Sequence, residues 1–114
     1  MKSLAESIKP IQKLNITRHI IPSADVYPNN GRLPLLLYHE AFPETETEDT
    51  IRELLETNSW TNAWVNGIYD YHHYHSTAHE VLVALKGSAR VQFGGPDGIT
   101  LPFEKGDVVI IPAG

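Results

Sequence analysis

At 114 residues, with a formal net charge of -5, the chain is sized for one domain around one core. Nine Lys and Arg against fourteen Asp and Glu provide no basic surface to track phosphates, which sets nucleic acid aside as a partner. The lack of cysteine removes disulfide staples and thiolate metal sites, and no apolar run approaches the roughly 20 residues that span a bilayer, so a cytoplasmic protein without a membrane partner is expected.

Eight Gly and eight Pro suit many short strands and tight turns better than a helical bundle. Residues 1–32 read as an irregular N-terminal arm broken by Pro10, Pro22 and Pro28, with a short helix near Ser3 to Ile8 and a strand near Arg18 to Ile21. Residues 33–114 form the main domain. Its first strand runs from Leu33 to Phe42, with Pro34 at the start where a missing N–H is tolerated. Glu44 to Asn58 is the one convincing helix. Thr45 with Glu48, or Thr50 with Glu53, supplies a capping box, and Ile51, Leu54 and Leu55 make its apolar stripe.

From Trp60 the pattern changes to extended chain, bent at Gly67, and then to short strands. Glu80 to Leu85 and Ala89 to Phe93 flank a turn at Lys86, Gly87 and Ser88; Gly94 to Gly98 is a second turn, and Ile99 to Phe103 and Val108 to Ile111 follow. Ala89, Val91 and Phe93 form the core face of their strand, with Arg90 and Gln92 opposite. Strands at this spacing indicate an antiparallel sandwich or barrel.

Four of the six histidines, His72, His73, His75 and His79, lie within eight residues. Residues two apart on a strand share a face, so His73 and His75 point together with Tyr71, and His72 points away. Glu80 has the wrong parity for the same strand. A turn at Ser76, Thr77 and Ala78 resets it, so that Glu80 faces the histidines from the next strand, with Leu82 and Ala84 beside it. Two neutral imidazoles and one carboxylate are a ligand set for divalent Fe, Mn, Ni or Zn, with positions left open for water or substrate. The alternative is a hydrogen-bonded polar interior without metal. His72 and His79 read as rim residues with no ligand role, and Tyr71 as a residue supporting the ligands or a core tyrosine.

The run GIYDYHHYHSTAHEVLVALKG, residues 67–87, resembles the first cupin motif at every defined position: Gly67, His73, His75, Glu80 and Gly87. GDVVIIPAG, residues 106–114, resembles the start of the second, through Gly106, Pro112 and Gly114. The wider text from Leu33 to Gly114 is similar to the YjlB-like group of bacterial single-domain cupins. The resemblance implies a mostly β fold, the jelly-roll barrel or double-stranded β-helix of cupins, with one short helix. It also implies a metal held by His73, His75 and Glu80, a small-molecule ligand or substrate, and a homodimer.

The chain ends three residues before the second motif places its histidine, the fourth ligand in cupins, so the barrel is expected to be C-terminally incomplete. It is then either a piece of a longer protein or a barrel with an open edge. Three functional readings follow: a mononuclear metal oxidoreductase of dioxygenase type, a non-catalytic ligand-binding or sensing cupin, or an inactive truncated cupin.

Overall fold

The structure is a computed structural model that describes residues 3–23, 28–43, 45–60 and 78–114. Two 3-10 turns, Leu4–Ser7 and Ile11–Lys13, precede strand β1 (Asn15–His19). Strand β2 (Leu35–His39), helix α1 (Glu48–Thr57), and strands β3 (Glu80–Val83), β4 (Ser88–Phe93), β5 (Ile99–Glu104) and β6 (Val108–Ile111) follow. The described chain is therefore mostly antiparallel β with one α-helix, as expected for a cupin-type barrel. No helix among the described residues is long and apolar enough to cross a membrane.

Strands β1, β2, β6 and β3 form one sheet in that order, and β4 and β5 form a hairpin. Strand β1 starts earlier than the sequence suggests and pairs with β2 along its length, from Asn15 with His39 to His19 with Leu35. The arm is thus built into the sheet from Asn15 onward.

Alternation along the strands gives this sheet two apolar faces. Leu35, Leu37 and Val109 are buried in one cluster with Val91, Phe93 and Phe103 of the hairpin, and Leu82, Ala84 and Ile111 pack against it. Val108 belongs to a second cluster with Ala41, Phe42 and Ile51, joined by Tyr38, Val81, Val83, Leu54 and Leu55. The hairpin therefore covers one side of the sheet and α1 the other. The predicted stripe of α1 is the face that packs, and Ile51 is its buried member.

Two local expectations change. The N-cap of α1 is Thr47, not Thr45 or Thr50: its backbone is extended and its hydroxyl accepts the Thr50 N–H at 3.2 Å. Thr50 lies inside the helix and is the donor, not the cap. On β4, Val91 and Phe93 are buried as expected, but Ala89 is exposed. It ends the row, and its methyl is too short to enter the layer reached by its partner Phe103.

Residues ahead of β6 tie the layers together. The Asp107 carboxylate is buried, and its two oxygens accept the N–H groups of Glu40 and Glu104, each at 2.8 Å. The backbone beside it is equally occupied. Asp107 O accepts from Ala84 N–H at 3.0 Å, Gly106 N–H donates to Ala84 O at 2.8 Å, and Gly106 O accepts from Phe42 N–H at 3.1 Å. Gly106 sits at φ 91, and a Cβ there would collide with the Phe42 carbonyl oxygen, so only glycine fits. One turn thereby joins the ends of β2, β3 and β5.

Replacing Asp107 with Asn substitutes a donor for one of two buried acceptors, and should cost about 2–4 kcal/mol. Thr47→Ala, which removes only an exposed cap, should cost ~1 kcal/mol. Urea unfolding of both variants checks the ranking, and equal losses would contradict it.

Candidate metal site

Glu80 opens β3 and pairs with Ile111 of β6. Leu82 and Ala84, two and four residues on, pack into the cluster under the hairpin, whereas Val81, Val83 and Leu85 pack toward α1. Strand alternation then places the half-buried Glu80 side chain on the hairpin side, at the end of an apolar row. This is the face expected from the sequence, shared with Leu82 and Ala84. A carboxylate at the mouth of an apolar layer, half withdrawn from water, suits a ligand for a hard or borderline divalent cation.

His73, His75, Tyr71 and His72 fall at positions 61–77, outside the described residues. Among the described residues no group of three or more His, Cys, Asp or Glu is placed to hold a metal ion. Of the three predicted ligands, the structure thus describes the position and face of Glu80.

Two of the described histidines, His19 and His79, have side-chain hydrogen-bond partners. His19 is the register partner of Leu35 and shares its face, at the far edge of the sheet from Glu80; its Nε2 lies 3.1 Å from Thr17 Oγ1. His79 is exposed, as expected of a rim residue, but its Nδ1 accepts the Ala113 N–H at 2.8 Å. The carbonyl of Ala113 accepts from Asn30 Nδ2 at 2.9 Å. The His79–Ala113 and Glu40–Asp107 bonds are not legible in the sequence, because each joins residues more than 30 positions apart.

Arg90 and Gln92 are exposed on the outer face of the hairpin, and Gln92 Nε2 donates to Pro96 O at 2.9 Å. They do not line the layer that Glu80 faces. A cleft of about 470 Å³ bordered by Glu6, Lys9, Glu40 and Lys105 lies beside Phe42 and Ile8, on the α1 side of the sheet. Its charges are of both signs, and Glu80 does not line it.

Comparison with known proteins bears on this arrangement. Residues 65–114 match the sequence profile of the cupin family, a stretch that holds both motif segments. Over 96 residues the chain is 41% identical to an uncharacterised protein, YjlB, of Bacillus subtilis (strain 168). The stretch from residue 65 to residue 114 is a cupin segment. The alignment with YjlB covers 84% of this chain and 56% of the relative, so the chain spans about half of that protein's length. No solved structure matches it. Within the family segment, Glu80 opens β3, Gly87 directly precedes β4, and Gly106 is the glycine whose conformation the Asp107 turn requires.

If the hairpin face with Val91 and Phe103 is the inner one, Phe103→Ala should cost about 3–5 kcal/mol. Arg90→Ala on the opposite face should change stability by under about 0.5 kcal/mol. Chemical denaturation measures both, and a large loss at Arg90 would reverse the assignment of faces.

Proposed function

We propose that this chain binds one divalent transition metal, Fe, Mn, Ni or Zn, through His73, His75 and Glu80, and that a small molecule binds beside it. The observation that supports the reading is the half-buried Glu80 on the hairpin-facing side of β3, on the same face as Leu82 and Ala84. Two neutral imidazoles and one carboxylate leave a divalent ion with residual positive charge, which favours an oxygen-donor substrate.

A metal in such a site supplies Lewis acidity and, as Fe(II), a docking position for dioxygen. Glu80 contributes the only negative charge of the set. Tyr71, two residues before His73, orients the ligand or holds a proton at Oη. Leu82, Ala84 and Ile111, next to Glu80, provide an apolar wall that limits water near it. Because two histidines and a carboxylate suit Fe(II), an oxidoreductase of dioxygenase type is the enzyme class this set favours, with a ligand-binding or sensing cupin as the alternative. A homodimer belongs to the same proposal: β1 is an edge strand of the described sheet, and Ile20 and Leu33 beside it are exposed.

Protein purified without chelator should contain close to one equivalent of metal per chain, and His73→Ala or Glu80→Ala should remove most of it. His72→Ala should leave the content unchanged. Elemental analysis after gel filtration decides: only traces of metal in the unaltered chain would sink the proposal. Oxygen consumption by the Fe(II)-loaded protein with diketones, phenols or sugar acids separates the enzyme from the binding module.

A further inference from the structure

The pairing of β3 with β6 stops at Glu80 and Ile111. The next residue, Pro112, has no N–H to offer a ladder. The N–H of Ala113, where the register would return to β3, donates instead to the imidazole of His79 at 2.8 Å. The carbonyl of the same residue accepts from Asn30 Nδ2 at 2.9 Å. Asn30 is itself oriented, since its Oδ1 accepts the N–H groups of Arg32 and Leu33, each at 2.8 Å. Both polar backbone groups of Ala113 are therefore held by side chains from two distant segments, where the chain leaves the sheet.

We propose that His79 is a positioning residue: its imidazole staples the backbone of Ala113 to the start of β3, and so sets how the chain leaving β6 stands relative to Glu80.

The bond also defines the chemistry of the ring. A nitrogen that accepts a backbone N–H must be unprotonated, so a neutral ring carries its proton on Nε2. Nδ1 is then occupied by the backbone, and Nε2, bearing hydrogen, has no lone pair for a metal. Among the clustered histidines, His79 thus has a structural task that is incompatible with ligation. It precedes Glu80 directly, so a shift of Ala113 is transmitted to the carboxylate through one peptide bond. The staple stands on these contacts alone, whereas its effect on metal affinity rests on the function proposed above.

The test compares His79→Ala with His79→Asn, whose Oδ1 can occupy the place of Nδ1. In the metal-free chain, amide hydrogen exchange at Ala113 should quicken about tenfold or more in His79→Ala and return toward the original rate in His79→Asn. Co(II) affinity, read from the visible absorption of the bound ion, should fall about tenfold in His79→Ala with a changed band shape, and recover in His79→Asn. Unchanged exchange at Ala113 in His79→Ala would overturn the staple. Loss of Co(II) in both variants would make His79 a ligand, and unaltered Co(II) binding in both would remove the positioning role. If the unaltered chain takes up no Co(II), the metal reading fails separately; exchange at Ala113 and the amide shift of Glu80 still decide whether His79 holds the two segments together.

Discussion

The architecture depends on a buried carboxylate at the foot of the central strand β6. Asp107 spends both oxygens on backbone N–H groups, one from the end of β2 and one from the end of β5. Hydrogen bonds to an ionised acceptor are stronger than neutral ones, and here they stand where burial makes an unpaired charge expensive. Gly106 completes the device, because its left-handed backbone lets the carbonyl of Phe42 approach closely. Glu40, also at positive φ, turns the chain out of β2 so that its N–H meets the carboxylate.

Strand β6 is consequently fastened at both ends by side chains. At one end Asp107 gathers β2, β3 and β5. At the other, His79 and Asn30 take the backbone of Ala113. Between them lie five residues, Val108 to Pro112, of which Val109 is fully buried. Glu80 sits at the second end, opposite Ile111. Glu80, on β3, pairs with a strand anchored at both ends, which limits its freedom to shift along the sheet.

Much of this is legible in the sequence. The turn glycines marked the hairpin, since Gly87 and Gly94 both need positive φ. The run from Val108 to Ile111 reads as a strand, and it is an inner strand with the hairpin on one side and α1 on the other. The parity of Glu80, Leu82 and Ala84 followed from the two-residue repeat of a strand. The capping-box spacing points to Thr45 and Thr50, each with a Glu three residues on, and passes over Thr47, whose third residue on is Thr50. The extended backbone at Thr47 and its bond from Thr50 N–H identify the cap. Ala89 failed as a core residue because alternation specifies a face, not whether a neighbouring layer reaches it.

What the sequence determined by itself was local and periodic: strand faces, turns, the helix stripe, and the spacing of His73, His75 and Glu80, in which it resembles the first cupin motif. Short-range sterics and repeat geometry govern all of these, so they can be read from neighbouring residues. What only the tertiary structure decided was long-range: that the arm enters the sheet through β1, that Asp107 is buried rather than a solvated turn acid, and that the ring of His79 is engaged by Ala113. Each depends on which distant backbone groups are left unpaired once the strands have aligned, and that is a property of the assembled sheet.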